Sequence, residues 1–474
     1  MTSPTSLRGL NLPTLVSFAV VLLLPLVLLR VLVRPVDDAD AFWHILSGQN
    51  VWRTHDVVVT DPFGRFSTNP WVQIDWLSDL SMAGAHGVAG LAGVAWLYVV
   101  LGLVLFGLLY LLCRREAGIT VAGICAATAW AGTYASQGFR PQTVSFVLLV
   151  VTLGAWWTVR AGTGRTPWWF VPLTYVWACL HGLWFLGPLV GLTVVAGLLL
   201  DRARPLRELL PLAAVPLASV LVAAFTPVGP RLLTAPFTVN SYAGLVTEWR
   251  PPDVHEPYVA MTVVLLVVVA VGWARSTRRP TTPEVLLWVM ALGWTLLYAR
   301  TVAVGAVIVA PLAARALAGL VPAPSGDGVA RSERGLVALS CLVASVVAGL
   351  LLPSVADRPG GVPLALDPQL SALPRGTVVL NDDALGGWLL LDHPDLAPVI
   401  DTRTYLFGVP YIEDYIATRA AVGDWPAFVE TTGATAALLP RGEPLVQDLP
   451  DELGWTLTAT GDGYALLQAP GDTG

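Results

Sequence analysis

Three carboxylates, Asp37, Asp38 and Asp40, stand within four positions in the stretch VDDADAFWH, which runs from Val36 to His44. Acids in this spacing could accept a proton from an attacking hydroxyl, because like charges held close together raise one pKa toward the range of a useful general base. The Asp pair with His44 could also hold a divalent cation. Asp-x-Asp alone is a weak signal for that, so metal is the less favoured reading and no cofactor is expected. A structural alternative remains open at this point: acids mark a water boundary, and tryptophans form an interfacial belt. Three acids in four positions exceed what a boundary requires, and the pattern continues through Trp52, Asp56, Asp61, Trp71, Asp75, Trp76 and Asp79.

A second group lies in EWRPPDVH, where Glu248, Trp249, Arg250, Asp253 and His255 fall within eight residues. Trp249 offers a face for stacking on a sugar ring, and its neighbours offer contacts to hydroxyls. With His44 and Asp61 these are the candidate sugar- or acceptor-binding residues. The structural alternative is a lid stiffened by prolines. Arg140, in GFRPQ, and Arg300, in LYARTV, each end an apolar stretch. An arginine fork there can grip a phosphate through paired, charge-assisted hydrogen bonds, or it can simply snorkel outward. His181, in ACLHGLWF, reads as an internal hydrogen-bonding residue.

The elements that must position these residues are mostly membrane helices. The 474 residues are 55% hydrophobic and only 13% charged, against about 25% charged in ordinary soluble domains. Apolar windows near 12–34, 87–112, 118–136, 142–159, 168–181, 183–200, 208–225, 258–274, 283–299, 301–320 and 335–353 predict about eleven spans. The first is too long for the core of a signal peptide and is read as an uncleaved span. All 27 basic residues are arginine, and the net charge of −6 is unevenly spread. From Ala356 onward there are 17 acids and 5 arginines; the rest carries 22 arginines and 16 acids. No basic run points to nucleic acid. Cys113, Cys125, Cys179 and Cys341 lie in or beside apolar spans, so no disulfide framework is indicated.

Arginines collect in CRRE (113–116), RAGTGR (160–165), DRARPLR (201–207), ARSTRR (274–279) and RSER (331–334), which places those loops in the cytoplasm. Arg30 and Arg34 run against that rule. The alternate loops, 36–86, 136–141 and 226–257, then face outward with the tail. Residues 1–353 thus form a membrane body and 354–474 a small extracytoplasmic α/β domain. Its expected strands are 376–381, 397–401, 435–440 and 455–468, with helices near 383–392, 410–421 and 424–432. Tyr405, Tyr411 and Tyr415 could offer stacking faces to an acceptor; packing in the core of that domain is the favoured reading. The apolar positions 42, 43, 45, 46 and 51 predict an amphipathic helix lying on the membrane surface.

Several stretches resemble a group of bacterial polytopic membrane proteins of the GT-C glycosyltransferase type. They are DADAFWHILSGQNVW with TDPFGRFSTNPWVQIDWLSD, then FRPQTVSF, WACLHGLWFLG, TPVGPRLL, EWRPPDVH, and VVLNDDALGGWLL with VIDTRTYLFG in the tail. The resemblance covers nearly the whole chain. It departs from the group at Ala39, where Pro often separates the two acids, at Gly64, where Ser often follows TDPF, and at Leu183, where a second Gly is usual. It implies a polyprenyl-phosphate-linked sugar as donor and a cell-envelope acceptor (glycan, lipid or protein). Transfer would occur at the outer face of the bacterial cytoplasmic membrane, with the N-terminus cytoplasmic. By position, Asp38 is the implied general base, with Asp40 beside it, in an inverting reaction. The rival classes are a transporter, a non-catalytic envelope scaffold and a polymer ligase using diphosphate-linked glycans. Transporters place their sites near the midplane, and no apolar window here carries a mid-depth acid.

Overall fold

The computed structural model describes residues 12–234, 249–319 and 329–471. In chain order the first helices are α1 (Leu12–Leu32), α2 (Ala39–Thr54), α3 (Trp76–Arg114), α4 (Ile119–Thr133), α5 (Gln142–Arg160), α6 (Phe170–Leu180) and α7 (Leu186–Leu200). They are followed by α8 (Leu206–Ala223), α9 (Pro257–Arg275), α10 (Thr282–Leu297), α11 (Val302–Ala318) and α12 (Arg331–Val355). The chain divides into two compact units, a helical one of Met1–Arg34 with Ala92–Asp357 and a mixed one of Pro35–Leu91 with Arg358–Gly474. The long first loop and the tail therefore fold together. The boundary after Leu91 follows a break in α3 at Ala89 and Gly90, where Gly90 has φ 58°, a conformation that costs glycine little.

Each of the eleven apolar windows carries a helix of the helical unit. Among the described residues, eight helices are long and apolar enough to cross a membrane. Helices α4, α6 and α10, with 15, 11 and 16 residues, are shorter than the roughly 20 residues a hydrocarbon core requires, whereas α7 and α11 reach 19 and 20 residues through the tight turns that precede them, as Gly182–Leu200 and Ala299–Ala318. The centre of the unit is α11, in which every residue from Val302 to Ala314 is buried; a helix apolar on all sides belongs in a core. Small residues let its neighbours approach closely. A Cβ on Gly132 of α4 would lie 2.8 Å from the Ala306 Cβ, and one on Gly272 of α9 would lie 2.7 Å from the Ala316 Cβ. Close backbone approach of this kind supplies the dispersion energy that holds membrane helices together.

The last turns of α5 and α11 share a buried ion network. Arg160 Nη1 donates to Glu284 Oε1 at 2.5 Å, Arg315 Nε donates to the same oxygen at 2.9 Å, and Arg315 Nη1 also bonds Glu116. Glu284 is held in place by the capping box of α10, where it accepts the Thr281 N–H at 2.7 Å. The Glu284 side chain is only 2% exposed, so its charge is tolerable only when paired. Glu284→Gln is expected to destabilise the protein by about 3 kcal/mol, since breaking a buried pair strands its partner; the thermal midpoint in detergent is the measurement.

In the mixed unit, β1 (Val58–Val59) and β2 (Trp71–Val72) form a small antiparallel pair. The tail begins with the short helix α13 (Asp367–Ser371). Then come β3 (Val378–Asn381), α14 (Asp383–Asp392), β4 (Ala397–Pro398), α15 (Val409–Arg419), α16 (Trp425–Thr432), β5 (Ala436–Pro440), α17 (Leu445–Leu453), β6 (Thr456–Gly461) and β7 (Tyr464–Gln468). The sheet order is β4-β3-β5-β7-β6; β3 runs parallel to both β4 and β5, and β7 runs antiparallel to β5 and β6. The β6–β7 turn uses Asp462 and Gly463, both at positive φ (49° and 85°), as a two-residue hairpin of matching twist demands. At the carboxyl ends of β3 and β5, Arg419 bonds Asp382 and Asp383 at 2.9 Å each and pairs with Glu443. Burial and the adjacent Asp382 push Asp383 up to about 6. Tyr415 is buried, and Tyr411 donates to the Val399 carbonyl at 2.8 Å, as expected of core residues.

Helix α2 does not present its apolar side to lipid. Ala41, Phe42, Ile45, Leu46 and Val51 are buried inside the mixed unit. A Cβ on Gly387 of α14 would stand 3.3 Å from the Phe42 Cβ and 3.0 Å from the Ala39 carbonyl, and one on Gly48 would fall 2.0 Å from the Asp79 carbonyl. The amphipathic pattern is answered by α14 and by the start of α3 rather than by a membrane surface.

Candidate active site

The mixed unit holds the aspartates. Asp38 is the N-cap of α2: its backbone is extended (φ −97°, ψ 118°) and its Oδ1 accepts the Asp40 N–H at 3.1 Å. An acid here has a fixed direction and lies in the favourable field of a helix N-terminus. Asp40, in the first turn, accepts from the Trp43 indole at 3.1 Å and from the Thr402 hydroxyl. The Trp43 ring lies against His44, with centroids 3.7 Å apart. Both Asp38 and Asp40 are half-buried.

His44 is buried, and its Nδ1 bonds Asp79 Oδ1 at 2.6 Å, while the Ser47 hydroxyl donates to Asp79 Oδ2 at 2.5 Å. Burial alone would lower the His44 pKa, but the Asp79 carboxylate and its hydrogen bond outweigh it, helped by Asp75 and Asp40, and the group titrates above its ordinary 6.5. A raised folded-state pKa contributes stability that is complete below 6.5 and is lost as the pH rises through the folded value. The thermal midpoint is therefore expected to fall as the pH rises above 6.5, and His44→Gln is expected to lose that part of the slope.

Asp61 is built into the framework. Its two oxygens accept Arg403 Nη1 and Nη2 at 3.1 Å each, and they also cap the Phe63 and Gly64 amides. Arg403 makes a second pair with Asp401, with Nε at 3.0 Å and Nη2 at 2.6 Å, and stacks over the Trp71 ring at 4.4 Å. A Cβ on Gly64 would come within 2.4 Å of Asp61 Oδ2, which accounts for glycine where the group often has serine.

The helical unit holds the arginines, gathered on the segment 134–142 between α4 and α5. Arg300 Nη2 reaches Gln142 Oε1 at 3.4 Å, and the Arg300 carbonyl accepts the Ser136 hydroxyl at 3.2 Å. Gln142 also donates to the Ser136 carbonyl at 2.6 Å. The Arg300 guanidinium lies over Trp249 at 5.0 Å, and Trp249 meets Tyr298 edge-on at 5.0 Å. Arg140 is part of the same segment and half-buried. One turn along α5, Ser145 receives the Trp177 indole at 2.7 Å and meets His181 Nδ1 at 2.9 Å. That nitrogen also accepts the Leu183 N–H at 3.3 Å, so the ring proton belongs on Nε2. Arg250 is exposed, as are Asp253 and His255. The last two bond each other at 2.8 Å, and the His255 amide and ring hold the Asp253 carboxyl below its usual range. Glu248 lies outside the described residues.

No protein-family profile and no curated protein matches this chain. Solved structures do. The oligosaccharyltransferase of Archaeoglobus fulgidus in its apo form superposes with a TM-score of 0.56 at 12% identity, covering 90% of this chain and 69% of that one. Tethered to an acceptor peptide containing the NVT sequon, the same protein gives 0.57 at 12% identity, covering 90% and 68%. ArnT from Cupriavidus metallidurans bound to undecaprenyl phosphate gives 0.52 at 14% identity, covering 98% of this chain and 99% of that one. The fold is that of the GT-C glycosyltransferases.

Within this GT-C fold the sequence candidates fall into two groups. Asp38, Asp40 and His44 are successive features of α2, and Arg300 and Trp249 form a cluster in the helical unit against Gln142, on the segment that also carries Arg140. Asp61 is committed to Arg403. Arg403, Thr402 and Gln142, and Asp79 beyond its place in the acid-rich pattern, take their roles from partners distant along the chain: 342 residues separate Arg403 from Asp61, and 158 separate Arg300 from Gln142. Their local signals are the acid-rich WVQIDWLSD, which contains Asp79, VIDTRTYLFG, which contains Thr402 and Arg403, and FRPQTVSF, which contains Gln142.

Proposed function

We propose that this chain is a membrane glycosyltransferase that moves a sugar from a polyprenyl-phosphate donor to an acceptor hydroxyl at the outer face of the cytoplasmic membrane. The observation that carries the reading is the arginine cluster on 134–142 at one end of an apolar helical unit. Helices α5 and α11 both start there and both end at the Glu284 network, about 27 Å away at 1.5 Å per residue over α5, close to the thickness of a hydrocarbon core. Arg114, Arg115, Arg160 and Arg315 collect at that far end through Glu333, the Gly154 carbonyl and Glu284, which supports a cytoplasmic placement for it. A lipid phosphate suits the near end, where its chain stays in hydrocarbon and its head meets arginine forks. The GT-C fold, shared with a protein whose structure contains undecaprenyl phosphate, supports the same donor class.

In this reading Arg140 and Arg300 hold the donor phosphate, and Asp38 takes the proton of the acceptor hydroxyl as its oxygen attacks the anomeric carbon. The bond to the phosphate oxygen breaks with its electron pair, polyprenyl phosphate leaves, and configuration inverts. Trp249, Arg250, Asp253 and His255 are proposed to meet sugar or acceptor; Asp61 and His44 are proposed to position the loop rather than to touch a ligand. Phosphate is a competent leaving group, so the scheme calls for no metal. Binding of undecaprenyl phosphate and of undecaprenol to the purified protein tests it. The phosphate form is expected to bind at least about tenfold more tightly, with Arg300→Ala losing most of that margin, in line with the strength of charge-assisted bonds. Equal affinity for the two lipids would remove the donor assignment.

A further inference from the structure

Arg34 closes the first apolar helix on the side where the distribution of arginines predicts none, and the structure gives it a specific place. Its Nη2 donates to the Gln137 carbonyl at 3.3 Å, and its guanidinium lies over the Phe139 ring at 4.9 Å. Phe139 immediately precedes Arg140, and Ser136 and Gln142 of the same segment bond Arg300. Nine residues, 134–142, thus gather three arginines from separate stretches of the helical unit, all half-buried. Gln137 is itself fixed from behind, with its side-chain amide donating to the Thr133 hydroxyl at 2.6 Å. Phe139 is pinned edge-on by Tyr98 at 5.7 Å. Snorkelling into water needs neither a buried carbonyl acceptor nor an aromatic platform.

A sugar-bearing polyprenyl phosphate is a phosphodiester with one negative charge. When the glycosidic bond breaks, both electrons go to the phosphate oxygen, and the departing lipid becomes a monoester with a second charge; the acceptor's proton goes to the general base. Two arginines suffice to recognise the donor. A third has work only as that second charge develops, and interactions that strengthen toward the transition state are the ones that accelerate a reaction. Building on the lipid-phosphate reading above, we infer that Arg34 is a third phosphate-contacting arginine, matched to the charge gained by the leaving polyprenyl phosphate.

The test compares undecaprenyl phosphate with undecaprenyl methyl phosphate, which has the same chain and one charge fewer, at a mildly alkaline pH where the monoester is doubly ionised. Wild-type protein is expected to prefer the monoester by about tenfold, the scale of one additional charge-assisted bond. Arg34→Gln should reduce that preference to within about twofold, weakening the monoester several-fold more than the methyl diester. Arg34→Lys, which keeps the charge, should retain most of it, and the thermal midpoint of each variant verifies folding. A folded Arg34→Gln protein with the full monoester preference, or a folded Arg34→Lys protein without any, overturns the inference. Failure of wild type to bind either lipid instead overturns the donor reading on which it rests.

Discussion

Asp38→Asn is expected to lower sugar transfer by about 10²–10⁴-fold, the contribution of a positioned general base, with little change in stability. The geometry makes this substitution unusually clean. Asp38 caps α2 by accepting the Asp40 amide at 3.1 Å, and asparagine caps a helix as well as aspartate does. Only basicity and charge are removed. Asp38→Ala would also lose the cap, at about 1 kcal/mol, and would confound the two effects. Matched thermal midpoints for wild type and Asp38→Asn, together with a collapse of turnover, are the expected pair of results. Undiminished turnover by the folded variant would dismiss Asp38 as the base and shift attention to Asp40, whose carboxylate is engaged by Trp43 and Thr402.

Arg403→Met is expected to destabilise the mixed unit by about 3–5 kcal/mol, the usual cost of breaking a buried ion pair. The side chains of Arg403, Asp61 and Asp401 are no more than 2% exposed, so the substitution strands two carboxylates in a dry setting. It also removes the cation stacked on Trp71. The loss should appear as a lower midpoint and as faster protease cleavage within 35–91. Adding Asp61→Asn and Asp401→Asn to Arg403→Met should recover part of the loss, because neutral amides cost less to bury than unpaired charges. A lack of recovery would mean that packing around Trp71, rather than charge, holds the loop.

The helical frame was legible because apolar windows need only local composition: each one holds a helix, and Gly433, at positive φ, ends α16 where the sequence turns. The strands of the tail were legible for the same reason, as alternating or continuous apolar runs bounded by glycine, proline and aspartate; α17, broken by Pro450, was not. What local pattern cannot supply is the joining of the first loop to the tail. The apolar side of α2 reads equally well as facing lipid or protein, and Gly387 of α14, which lets Ala39 and Phe42 approach, settles it. Asp61 likewise looks like any loop acid until Arg403 arrives from 342 positions away. The arginine cluster was half visible. Arg140 and Arg300 stood out as charges at the ends of spans, whereas Arg34 read as an exception to the charge rule because its acceptor, the Gln137 carbonyl, carries no sequence signal.

Lipids retained by the purified protein provide the most direct measurement. Wild-type protein and Asp38→Asn are isolated from the native membrane, and their lipids are extracted and weighed by mass spectrometry. The account predicts an intact polyprenyl-phosphate sugar on the inactive variant and polyprenyl phosphate without sugar on the wild type. Finding neither lipid on either protein, with both folded, would contradict it.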